Sequence, residues 1–187
     1  MAGIGHNGGP AQGDGFLRHC WRAARRELLG GGALPIEVVR QRVARAKALG
    51  LPYKTYAGVR ATTGRDLVAF LYSSNALGVF RTGQAIEPVQ LGQLRASAAQ
   101  PHLGLSGRMI DGLAARMGAV SQLDLPRFGE SWGQMRGDMK GWLMAQGLPG
   151  DAVLMIGETD HEREVMAAAG LAGFISGQSF WSAGAGR

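Results

Sequence analysis

The chain has 187 residues, 45% hydrophobic and 18% charged, which fits one globular domain with a real core and excludes a disordered chain. Its single cysteine, Cys20, excludes an internal disulfide and a multi-cysteine metal cage, and no apolar run nears the roughly 18 residues of a membrane span. The net charge of +6 is uneven: residues 1–65 carry +8 and residues 66–187 carry −2, so all of the excess positive charge lies in the first third.

Residues 1–15 read as a flexible tail with neither the basic start nor the apolar stretch of a secretory signal, so the expected location is the cytoplasm, with no membrane contact. Residues 16–66 read as a basic helical extension. In "FLRHCWRAARRELL" Phe16, Cys20, Ala24 and Leu28 share one helical face. "GGGALP" breaks it. Pro35 suits a helix first turn, and the following helix carries Val39, Val43 and Ala46 inward until Gly50 ends it. "LPYKTYAGVRATTGRD" admits two readings, a short helix or a hairpin leading into the next run.

From Leu67 the texture changes. "LVAFLY" suits a buried strand, "IEPVQLGQLRASAAQ" a helix, "HLGLSG" a second strand and "RMIDGLAARMG" a helix with Met109, Leu113 and Met117 spaced by four. "LDLPRFGESWGQM" reads as loop and "GDMKGWLMAQG" as a helix. "DAVLMIG" is a strand, "HEREVMAAAG" a helix, "LAGFISG" a last strand, and residues 177–187 a C-terminal tail. Strands alternating with helices of about ten residues predict an α/β fold with a parallel sheet flanked by helices over residues 67–176. Ligands of such sheets bind at the carboxyl ends of the strands. Ser73, Ser74 and Asn75, then Ser106, then Glu158 to Glu162 all follow strand ends.

That order of polar loop, serine, lysine and acidic loop resembles the haloacid-dehalogenase-like (HAD) superfamily of phosphatases and phosphotransferases, without a large cap. In "KGWLMAQGLPGDAVLMIGETDHEREVMAAAGLAGFIS" a lysine is followed by a strand ending in glycine plus acid, a second acid four residues on, and a helix. "HLGLSG" resembles the family's second motif and "VAFLYSSNAL" stands where the first should be. The resemblance covers about 110 residues. It implies that Ser106 binds a phosphoryl oxygen, that Lys140 neutralises its charge, and that Glu158 and Glu162 hold Mg²⁺, a hard cation suited to carboxylate oxygens. The first motif of the family has two aspartates, a nucleophile and a proton donor. Here Tyr72 and Ser74 stand in their places, and neither can form an aspartyl-phosphate. The resemblance therefore implies a degenerate site, and a protein that binds a phosphate-bearing ligand or a protein partner without ordinary hydrolase activity.

Two other readings stand beside it. Acids at a helix start oppose its dipole, and Thr159 with Glu162 three residues on has the spacing of a capping box. The second concerns residues 16–65, where Arg40, Arg42, Arg45, Lys47, Lys54 and Arg60, with Tyr53 and Tyr56 among them, could meet nucleic-acid phosphates as a regulator would. His161 followed by Glu162 lacks the second histidine of a zinc motif, and His6, His19 and His102 carry no assignment.

Overall fold

A computed structural model describes residues 34–107 and 109–184. The tail 1–15 and the expected helix around Phe16 to Leu28, with Cys20, lie outside the described residues. The chain folds as an α/β protein: five parallel strands form one sheet in the order β3-β2-β1-β4-β5, flanked by helices on both faces.

Two helices come first, α1 (Ile36–Leu49) and α2 (Tyr53–Thr63). Gly50 separates them in a left-handed conformation (φ 76°) that a side chain would resist, so its N–H returns to the last turn of α1. The helix reading of "YKTYAGVRA" is therefore the one that forms, because Tyr56 and Val59 bury one face against the sheet. Only Ala46 and Leu49 of α1 are buried; Val43, expected inward, is exposed.

The sheet strands are β1 (Ala69–Ser73), β2 (Gln100–Leu105), β3 (Ser121–Asp124), β4 (Val153–Gly157) and β5 (Gly173–Ser176). Between them lie α3 (Pro88–Ala96), α4 (Leu113–Met117), α5 (Trp132–Gln146) and α6 (Asp160–Ala169), and α7 (Gly177–Gly184) follows β5. Successive strand residues point to opposite faces. Phe70, Tyr72, Leu154 and Ile156 therefore pack under α1 to α4 and α7. Ala69, Leu71, Val153 and Met155 pack under α5 and α6. Both faces are covered, which is why β1 and β4 read as unbroken apolar runs.

Four elements depart from the expectation. α5 begins at Trp132, inside the stretch expected to be loop, because Ser131 and Gln134 form a capping box. β3 is not among the expected strands, and its Leu123 and Asp124 fall in the stretch expected to be loop; it is a four-residue edge strand paired only with β2 and half exposed, so its sequence carries no apolar run. The helix expected from Arg108 begins only at Leu113, because Gly112 takes a left-handed turn (φ 67°). The expected C-terminal tail forms α7. Its Phe180 is buried edge-on to Phe70 and Tyr72, Trp181 stacks on Tyr72 at 5.8 Å, and the Trp181 indole N–H donates to Ala76 O at 2.7 Å. Among the described residues, no helix is long and apolar enough to cross a membrane.

The path of the chain fixes where a site can form. From β1 it moves outward through β2 to β3 along one side, then returns to place β4 on the other flank of β1 and β5 beyond it. The direction reverses between β1 and β4, the crevice at which doubly wound sheets take their ligands. Removing the α7 anchor tests how far this last helix holds the aromatic layer. Phe180→Ala is expected to lower unfolding free energy by about 3 kcal/mol, read from the denaturant midpoint at unchanged slope.

Candidate functional site

At the carboxyl edge of the sheet, one side chain gathers the strand ends. Glu162 lies in the first turn of α6 and is 1% exposed. Its Oε1 accepts from Asn75 Nδ2 at 3.0 Å and from Ser106 Oγ at 2.5 Å. Its Oε2 accepts from the backbone N–H of Glu158 at 2.6 Å and of Thr159 at 3.0 Å. Thr159 Oγ1 in turn accepts from Glu162 N at 3.2 Å, completing a capping box. Asn75 follows β1, Ser106 follows β2, and Glu158 and Thr159 follow β4, so the carboxylate ties three strand ends together.

The serines around it are structural donors and acceptors. Ser74, 2% exposed, accepts at Oγ from Ser106 N (3.1 Å) and donates its backbone N–H to Gly104 O (2.9 Å). Ser73 Oγ accepts from Ala76 N (3.0 Å) and shapes the turn out of β1. Two glycines allow the close approach. A Cβ on Gly157 would lie 2.5 Å from the Phe174 ring and 3.0 Å from Glu162 Oε2; one on Gly177 would lie 2.8 Å from Ala76 O and 2.9 Å from Glu158 Oε2. The Glu158 side chain is exposed and lies beside the start of α7. His161 Nε2 donates to Pro126 O at 2.7 Å, which brings the loop after β3 onto the same helix turn.

The residues singled out in sequence separate into groups. Ser74, Ser106, Glu158 and Glu162 converge at the carboxyl edge. Tyr72 does not reach it: the ring is 1% exposed within the α7-side aromatic layer, and burial pushes its phenol pKa far up. Lys140 is exposed on α5 and lines a groove with Gly150, Asp151 and Gly170, where β4 begins, at the opposite end of the sheet. Of the basic residues, Arg40 pairs with Glu37 in the first turn of α1. Arg45 Nε donates to Asp66 Oδ2 at 2.9 Å and its Nη2 to Leu67 O at 2.8 Å, and Arg60 stands 3.9 Å from Asp66. The Tyr56 hydroxyl also donates to Asp66, at 2.8 Å, and burial together with that carboxylate raises its pKa. Arg42 is half-buried, while Lys47 and Lys54 are exposed on the two helices.

The donor set does not fit Mg²⁺ as arranged. A carboxylate offers about four lone-pair directions, and Glu162 has given all four to N–H and O–H donors. Tyr72 supplies no oxygen at the edge. Among the described residues, no three of His, Cys, Asp and Glu stand together as a metal group. Comparison of the chain with protein-family models, curated proteins and solved structures finds no match.

Two participants carried no assignment in the sequence. Asn75 was visible only as a polar residue after a strand. His102 is 1% exposed under α5, with Nδ1 2.8 Å from Ser121 Oγ, the indole of Trp142 edge-on at 5.4 Å and also donating to Ser121, and its Nε2 without a partner. Nothing in the spacing of a lone histidine announces that cluster.

Glu162→Gln replaces acceptor lone pairs with an NH₂ group facing existing donors; we expect a loss of about 2 kcal/mol or more in unfolding free energy, measured by urea denaturation. Burial lowers the His102 pKa below its ordinary 6.5. The unfolded chain therefore binds the proton more readily, so this contribution to stability is whole above pH 6.5 and is lost as pH falls below it toward the lowered folded value. Denaturation of wild type and His102→Phe across pH 7 to 5 should show the wild type losing more stability over that interval.

Proposed function

We propose that this chain is a HAD-like α/β protein whose phosphoryl-transfer site no longer carries the reaction, and that it acts by binding a partner at the carboxyl edge of its sheet. One observation carries the reading. The Glu162 carboxylate, internal to the protein, takes the donors of β1, β2 and β4 that a phosphoryl group or a metal-bound ligand would need. The Ser106 hydroxyl, which the family resemblance assigns to a phosphoryl oxygen, donates instead to Glu162.

Of the two kinds of partner implied, the geometry favours a protein over a phosphate-bearing ligand. Glu158 leaves an exposed carboxylate beside the edge, where it repels phosphate, while Asp160 stands 3.8 Å from Arg163. Loops leaving β1, β2 and β3 carry Phe80, Met109 and Phe128 exposed to 54%, 71% and 89%. Large apolar side chains left this exposed on loops after strand ends are the kind that interaction surfaces use. Nucleic-acid contact through α1 and α2 is the weaker reading, since Arg45 and Arg60 turn toward Asp66 and Arg40 pairs with Glu37.

The test is an assay of wild type and Glu158→Ala with p-nitrophenyl phosphate and Mg²⁺, alongside a thermal melt with inorganic phosphate. We expect no release above the protein-free blank and no phosphate-dependent rise in melting temperature. Turnover in the wild type that Glu158→Ala abolishes would restore an active phosphatase. Binding of duplex DNA or RNA that weakens with salt and with Arg40→Ala, Arg42→Ala and Arg45→Ala combined would move the function to the basic helices.

A further inference from the structure

A second site lies at the other end of the sheet, independent of the reading above. α5 from Arg136 onward, the turn before β4 and the C-terminal end of α6 line an open groove of ≈ 540 Å³, within the roughly 300–1,000 Å³ that small-molecule sites occupy. Its floor is apolar: Leu143 and Ala168 are buried, and Met144 stands 82% exposed on the wall. One rim carries two cations, Arg136 and Lys140.

Those cations have no use inside the described protein. They are four residues apart on α5, hence neighbours on one helix face, and like charges in that spacing repel. Neither has a hydrogen-bond or ion-pair partner among the described residues. Asp138 lies between them in sequence but about 200° round the helix from each, at roughly 100° per residue. The one acid lining the groove, Asp151, is taken by Arg65 at 2.9 Å, which offsets the charge that would otherwise repel an anion.

We propose that this groove binds a small amphipathic organic anion, with its acid group between Arg136 and Lys140 and its hydrocarbon body on Leu143, Met144 and Ala168. The anion relieves the repulsion between the two cations, and the apolar body leaves water for the floor. The guanidinium fork of Arg136 suits a carboxylate, which can accept two parallel N–H donors. Neither half of the ligand suffices: a bare anion gains little from exposed cations screened by solvent, and a neutral chain gains little from a shallow floor.

Sodium octanoate is the probe, with acetate and octanol as its two halves, followed by ¹H–¹⁵N NMR of the full chain. Octanoate is expected to shift the backbone amides of Gly150 and Gly170 saturably, and acetate and octanol are not. Arg136→Glu with Lys140→Glu should weaken octanoate at least tenfold while leaving the remaining amide positions in place. Ala167→Trp fills the groove without changing charge and should abolish the shifts. The inference is overturned by unsaturable or scattered shifts in the wild type, by equal affinity in the charge-reversed protein, or by acetate or octanol binding as well as octanoate.

Discussion

The carboxyl edge depends on one buried carboxylate. A charged group at 1% exposure is costly unless each of its lone pairs is met, and Glu162 is met four times. Two of the donors are backbone N–H groups, that of the N-cap Thr159, which a helix N-terminus would otherwise leave over, and that of Glu158 just before it. The other two come from loops distant in sequence, 87 residues away at Asn75 and 56 away at Ser106. The neighbouring His161 adds the loop after β3 through Pro126. One helix turn thus fastens the exits of four strands, and the crevice where the chain reverses direction is stitched shut from within.

Tyr72 takes no part in that edge. Position 72 is an interior strand residue whose side chain points into the layer of Phe70, Phe180 and Trp181. A carboxylate there would be desolvated among aromatic rings. Tyrosine suits that layer through its ring, and α7 exists because Phe180 and Trp181 complete it. Replacing Tyr72 by aspartate would therefore not rebuild a nucleophile at the edge. It would cost the core and leave Glu162 holding the donors.

What the sequence shows of this fold follows burial. β1 and β4 are covered on both faces and declare themselves as apolar runs; β3, an edge strand with an intermediate-and-exposed pattern, does not. α7 is short and begins and ends in glycine, so its two anchoring aromatics look like a tail until Tyr72 is placed beneath them. Among site residues, Thr159 and Glu162 are legible because a capping box is a local spacing. Their link to Asn75 and Ser106 depends on the register of β1 against β2 and β4, which no local pattern contains. Lys140 illustrates the opposite error. It precedes β4 in sequence, yet it lies midway along a helix antiparallel to the strands and faces the end where β4 begins.

Charge counted along the chain and charge placed in space also differ. The first third carries the positive excess, yet Arg45, Arg60 and the Tyr56 hydroxyl converge on Asp66 at the join between α2 and β1, so part of that excess serves to dock two helices on the sheet. Similarly, the acids of "GETDHE" divide by depth. Glu158 and Asp160 remain in solvent, whereas Glu162 turns inward. A helix cap and a tie between distant strand ends are then not rival descriptions of that stretch. The carboxylate that caps α6 also holds Asn75 and Ser106, so the local cap and the long-range tie across the strand ends are made by one group.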